Sequence, residues 1–135
     1  MIELIATTPV TVPVNGIIPF DATAAKGGCA ERHREGSGLV TLTKSGRYLV
    51  TFSGNIAVPE GETVGEVSLG ITQDGEVING SVMRATPSAV ENYFNVSTQH
   101  YIDAYCGCCV TVSVRNNGTI PVLVDNANVT IVRVC

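Results

Sequence analysis

The sequence predicts an all-β domain, and three observations carry that prediction. Between Gly46 and Gly54, the apolar residues Tyr48, Val50 and Phe52 occupy alternate positions, which is the period of a strand with one apolar face. No long stretch has the apolar period of a helix. Thr, Val, Asn and Gly dominate and Trp is absent, a composition typical of short strands joined by turns.

Length and composition indicate one domain with a substantial core. The chain has 135 residues, of which 44% are apolar and 15% are charged. So few charged residues predict that many strands are covered on both faces, either by a second sheet or by another subunit.

Strands are predicted in order along the chain. Pro9, Pro13 and Pro19 interrupt the first segment, and because proline cannot donate to a strand ladder, residues 1–20 are predicted to form edge strands or an N-terminal arm. Residues 21–135 form the main domain, in which residues 22–37 are predicted to be a surface loop. The predicted strands cover residues 2–7, 10–14, 17–20, 38–43, 47–58, 65–73, 76–84, 93–104, 110–116, 120–124 and 129–134.

The sequence predicts one hairpin and one inner strand. Residues 39–43 and 47–53 flank a short turn and read as a hairpin, in which Gly46 occupies a turn position that tolerates other residues poorly. The closing strand, residues 129–134, is apolar on both faces, which predicts an inner strand.

Four segments resemble the C1q and tumour-necrosis-factor jelly rolls, in the order of that family: residues 42–52, 66–75, 110–117 and 128–134. The resemblance implies a two-sheet antiparallel jelly-roll sandwich over residues 21–135. It also implies a homotrimer around a threefold axis. The bacterial and phage branch of the family fits best, because the chain is compact, starts at its own Met1 and has no collagen-like stalk.

Apolar residues of three predicted strands are candidates for the core or for a trimer interface. These candidates are Tyr48, Leu49, Val50, Phe52, Val112, Val114, Ile131, Val132 and Val134.

The cysteines leave three interpretations open. Cys106, Cys108 and Cys109 cluster at a predicted turn, and they could pack as small apolar residues, form disulfides or bind a soft metal. In the resembling C1q-like domains this turn usually carries oxygen ligands that help to hold calcium, and cysteine in their place argues against calcium here. No other cofactor is expected.

Several functional classes are not expected. The net charge of −4 and the scattered basic residues argue against nucleic acid as a partner. No apolar run approaches the length of a membrane span, and the first residues do not form a signal peptide. No catalytic motif surrounds His33 or His100, so an enzyme is not expected, although a fold could place either histidine beside a cysteine or a carboxylate.

We therefore expect a non-enzymatic structural, assembly or recognition module on a virion or on a bacterial or spore surface. Its expected partners are copies of itself, other structural proteins of a virion or surface layer, and a surface glycan. The alternative is a carbohydrate- or receptor-binding module that uses Tyr93 and Tyr101 with Asn92 and Gln99.

Overall fold

A computed structural model of the chain describes residues 1–28, 30–104 and 109–134. Those residues form two six-stranded antiparallel sheets packed face to face, which confirms the predicted all-β class. Within these ranges no helix has the length and apolar character needed to cross a membrane.

The two sheets are built from twelve strands in the described part of the chain. In order these are β1 Ile2–Ile5, β2 Val10–Val12, β3 Ala22–Lys26, β4 Glu31–His33, β5 Val40–Leu42, β6 Gly46–Ala57, β7 Val67–Gln73, β8 Glu76–Val77, β9 Met83–Ala85, β10 Phe94–Ala104, β11 Val110–Asn116 and β12 Val122–Arg133. The front sheet has the order β10-β6-β12-β1-β3, with β2 also paired to β12. The back sheet has the order β4-β5-β11-β7-β8, with β9 also paired to β7.

The predicted hairpin of residues 39–43 and 47–53 is wrong, because the two strands belong to different sheets: β5 pairs with β4 and β11 in the back sheet, whereas β6 pairs with β10 and β12 in the front sheet. The turn between them crosses from one sheet to the other, and the core lies between the sheets. Tyr48, Val50 and Phe52 of β6 are fully buried, as the alternation predicts. The hydroxyl of Tyr48 donates to the carbonyl oxygen of Lys44 at 2.7 Å, and burial raises the pKa of this phenol. Gly46 opens β6 with a φ of 146°, a conformation that favours glycine.

The first strand differs from its prediction as an edge or an arm. β1 pairs with β12 on one side and with β3 on the other, and Ile2 and Leu4 are buried. The prolines that suggested an edge begin only at Pro9, so the backbone of β1 can bond on both sides. In contrast, β2 pairs with β12 alone among the described strands, as an edge strand does.

The predicted loop over residues 22–37 is wrong, because it contains β3 and β4. Both strands lie at sheet edges and bury little apolar surface, since β3 is exposed or half-buried throughout and the one buried residue of β4 is Glu31, so their side chains show little apolar alternation. The predicted strand over residues 17–20 is also wrong, since only Ile17 makes an isolated bridge, to Arg115. Residues 76–84 divide into β8 and β9 around a turn at Gly80, where φ is 93°.

The last two predicted strands are one strand, β12. A bulge between Asp125 and Asn128 interrupts its pairing with β6, and Asn126 adopts a φ of 52° there. β12 lies between β6 and β1, which confirms the predicted inner position.

Candidate interaction face

The outer face of the front sheet consists of the side chains that point away from the sandwich core. Its centre is formed by alternate residues of β6 and β12, all half-buried: Leu49, Thr51, Ser53, Asn55, Asn128, Thr130 and Val132. The register places Leu49 beside Val132 and Thr51 beside Thr130. β10 extends this face with four exposed residues, Asn95, Ser97, Gln99 and Tyr101.

None of the eleven residues just named carries a formal charge. Charged residues surround these eleven on the same face: Glu3 of β1 is opposite Thr130, Arg47 and Asp103 form a pair at one end, and Asp125 is opposite Asn55. Since the centres of protein interfaces are depleted in charged residues, this composition is typical of a contact surface.

The polar groups of the outer face bond to one another across the strands. The Asn95 side-chain amide donates to Asn55 Oδ1 at 3.0 Å, and the Asn128 amide donates to Glu3 Oε2 at 2.9 Å. The Thr130 hydroxyl donates to Asn128 Oδ1 at 3.3 Å. These bonds hold the amides and hydroxyls in place, so the face presents a fixed polar pattern to a partner.

Tyr101 forms one end of the outer face and is 56% exposed. The Arg47 guanidinium lies 5.9 Å from the centre of its ring, and Arg47 Nε lies 2.7 Å from Asp103 Oδ1. This stack holds the tyrosine ring in an orientation in which a partner can pack against it.

Tyr93 lies beyond the other end of β10 and is 39% exposed. Desolvation raises its pKa, and the nearby carboxylates of Asp125 and Glu91 add to that increase. An extended strand separates Tyr93 from Tyr101 by roughly 27 Å, so the two predicted ligand residues do not share one small-ligand site. Gln99 lies on the same face as Tyr101, whereas Asn92 is an exposed residue outside the strand.

β10 is also an edge of the front sheet. It pairs with β6 through eleven consecutive residue pairs, without a bulge, and in the described part of the chain no strand pairs with its other side. The sequence does not predict this edge, because nothing in a strand's own residues specifies which of its sides is paired.

The structure divides the nine core or interface candidates into two groups. Six are buried in the sandwich core: Tyr48, Val50, Phe52, Val112, Val114 and Ile131. Leu49 and Val132 are half-buried and lie together on the outer face. Val134 is exposed just beyond the end of β12.

The proposed metal or disulfide turn lies largely outside the described residues, which include neither Cys106 nor Cys108. Cys109 is described, is exposed and takes part in a disulfide bond. Across residues 1–28, 30–104 and 109–134, no group of three or more His, Cys, Asp or Glu side chains is arranged to hold a metal ion.

The two histidines make local bonds to the backbone. His33 lies in β4, not in a solvated loop, and its Nε2 donates to the Ser37 carbonyl oxygen at 2.7 Å. His100 Nδ1 lies 2.6 Å from the carbonyl oxygen of Tyr101. Both contacts fix the orientation of a ring within the fold.

Comparison with known proteins identifies the fold. The sequence matches no family model and no curated protein. Among solved structures, murine APRIL superposes with a TM-score of 0.71 at 10% identity, over 98% of this chain and 97% of that chain. Eiger TNF from S. frugiperda gives a TM-score of 0.70 at 12% identity, over 99% of this chain and 91% of that chain. The PRD1 vertex protein P5 gives a TM-score of 0.58 at 17% identity, over 99% of this chain and 96% of that chain. The chain therefore has the C1q/TNF-like jelly-roll fold, which confirms the predicted resemblance at the level of the fold.

Proposed function

We propose that the chain forms a homotrimer that acts as a non-enzymatic structural and recognition module on a virion or on a bacterial or spore surface. One observation carries the proposal: the uncharged centre of the outer face of the front sheet adjoins a long, regular edge strand, β10, and no strand in the described part of the chain pairs with its other side. Burial of both surfaces between copies of the chain would account for both features.

β10 needs a partner because exposed strand edges otherwise pair with other chains. Proteins protect such edges with charged residues, proline, bulges or short strands. Residues 94–102 contain no Lys, Arg, Asp, Glu or Pro, and their pairing is regular. By contrast, β3 ends in Lys26 and pairs through a bulge, and β4 and β8 have only three and two residues.

A contact between the β10 edge of one copy and the outer face of another copy is heterologous, because the two copies contribute different surfaces. Heterologous contacts close into a ring when the rotation between copies allows it. The resemblance to C1q and tumour-necrosis-factor jelly rolls implies a ring of three. A threefold ring would cover β10 and the outer face of every copy and leave the back sheets exposed.

The surface location is supported by one structural neighbour. The PRD1 vertex protein P5 shares the fold over nearly its whole length. A vertex protein is part of a virion, so the phage branch of the fold is a reasonable origin for this chain. The partners proposed on this basis are other structural proteins of a virion or surface layer, and a surface glycan.

Val132→Asp tests the trimer. In the trimer the new carboxylate would be buried without a partner, at a cost of several kcal/mol, whereas in a monomer it would remain half-exposed. We expect light scattering at micromolar concentration to give three times 14.1 kDa for the unchanged chain and 14.1 kDa for the variant. Val64→Asp, at an exposed loop residue, is the matched control and should remain trimeric. A monomeric unchanged chain, or a fully trimeric Val132→Asp, would contradict the proposal.

A carbohydrate- or receptor-binding module is the second candidate, because the exposed Tyr101 ring borders a polar face that also presents Gln99. Aromatic rings bordered by amides are suited to stack against sugar rings and to bond their hydroxyls. On a glycan array, Tyr101→Ala should abolish binding and leave the mass unchanged if this candidate is correct. If Tyr101 lies instead in the trimer interface, the same substitution should lower the mass. Tyr93→Ala, at the distant tyrosine, is the control.

A further inference from the structure

The back sheet contains a cleft at its β4 edge that the proposed trimer does not use. Its volume is about 350 Å³, and it is lined by Arg32, His33, Arg34, Ser37, Leu39 and Thr41. β4 belongs to the back sheet, whereas the outer face and β10 belong to the front sheet. The cleft can therefore bind a ligand independently of assembly.

The two arginines of the cleft differ from the other four arginines of the chain. Those four each contact an acceptor: Arg47 contacts Asp103 at 2.7 Å, Arg84 contacts Glu66 at 3.7 Å, Arg115 donates to the Gly75 carbonyl at 2.8 Å, and Arg133 donates to the Ser45 carbonyl at 2.6 Å. Arg32 and Arg34 are exposed and make no ion pair or side-chain hydrogen bond within the described part of the chain.

The neighbouring glutamates do not neutralise this pair of arginines. Glu31 points into the protein, and its Oε1 lies 2.8 Å from the Met1 amino group. Glu35 is exposed, and it makes no ion pair with Arg32 or Arg34 in the described structure. The cleft therefore presents two free guanidinium groups in a chain whose net charge is −4.

The arginines are positioned for one shared ligand. They are two residues apart, Arg32 within β4 and Arg34 directly after it, so their Cα atoms are separated by roughly 7 Å. Arg32 pairs with Thr41, which adds a hydroxyl group, and Leu39, 46% exposed, adds an apolar wall. His33 Nε2 donates to the Ser37 carbonyl at 2.7 Å, and the Leu39 backbone N–H donates to Ser37 Oγ at 3.1 Å, so the loop that shapes the cleft is held in place.

We infer that this cleft binds the acidic group of a sugar acid, a carboxylate or a sulfate. Guanidinium forks match the geometry of both anions and form strong charge-assisted hydrogen bonds with them. The Thr41 hydroxyl bonds a ring hydroxyl, and the Leu39 side chain packs against the sugar ring. A nucleic acid is a poor match, because two arginines contact too few phosphates for strong binding in an acidic protein.

Titration calorimetry at fixed ionic strength tests the inference with three probes: sodium glucuronate, glucose 6-sulfate and neutral glucose. We expect saturable binding of at least one acid, and no binding of glucose. The acid that binds more tightly shows whether the cleft prefers a carboxylate or a sulfate. Arg32→Gln and Arg34→Gln should each weaken binding about tenfold, since each removes one charge-assisted fork. Arg32→Lys should give an intermediate affinity, because it keeps the charge and loses the fork.

Arg84→Gln is the matched control, since it removes the same charge at an exposed position where the guanidinium contacts Glu66. Its affinity for the acid should equal that of the unchanged chain. Equal weakening by all three glutamine variants would mean nonspecific charge attraction and would overturn the inference. Binding of glucose as tight as that of the acids, or saturable binding of neither acid, would also overturn it. The trimer mass should be unaffected by Arg32→Gln, so failure here leaves the trimer proposal untouched.

Discussion

Phe52→Ala is expected to lower the free energy of unfolding by about 3–5 kcal/mol, because the substitution leaves a cavity at the centre of the front sheet. Phe52 is 0% exposed, and the register places it between Thr98 of β10 and Val129 of β12. Both flanking strands are paired along most of β6, so neither can move inward to fill the space. A loss of this size is a large part of the 5–15 kcal/mol that stabilises a typical domain.

Urea unfolding at one fixed protein concentration measures this loss, and a fixed concentration is needed because assembly contributes to the apparent stability. Phe94→Ala is the matched control. It removes the same side chain from the same sheet, at a position that is 42% exposed, and should cost much less. A loss below about 1 kcal/mol for Phe52→Ala would contradict the burial of this face.

Gly38→Ala is expected to destabilise the protein by about 1–3 kcal/mol through overpacking. A Cβ atom at this position would lie 2.6 Å from the Ile18 carbonyl oxygen and 2.7 Å from Ile17 Cδ1. The backbone at Ile18 cannot easily withdraw, because its N–H donates to the Val114 carbonyl at 2.9 Å and anchors the segment to β11. Relief of the clash must therefore distort the contact between this segment and the back sheet.

Gly27→Ala is the control for Gly38→Ala, because a Cβ atom there meets nothing within 4 Å. Its stability should change by less than about 0.5 kcal/mol, or rise slightly, since alanine restricts the unfolded chain more than glycine does. Thermal unfolding of the two variants side by side gives the comparison. If both glycines tolerate alanine equally well, the close approach of the chain at Gly38 is not as described.

The sequence by itself determined the all-β class, the buried face of β6 and the inner position of the last strand. In each case the signal is local, because side chains alternate between the two faces of a strand and an apolar face must be buried. Tyr48, Val50 and Phe52 carry that signal within five residues, and all three are buried. The same local rule failed for β3 and β4, because edge strands that bury little apolar surface show little alternation.

The tertiary structure decided which residues of different strands lie side by side on one face of a sheet. Leu49, Val132 and Tyr101 meet on the outer face because β6, β12 and β10 are neighbours in the front sheet, although they are distant in sequence. Gly38 is constrained by a segment twenty residues earlier that packs against it. Strand order and register arise from long-range pairing, and no strand's own residues specify its neighbours. For that reason the uncharged centre of the outer face, the position of β10 at a sheet edge and the two free arginines became apparent only in the folded chain.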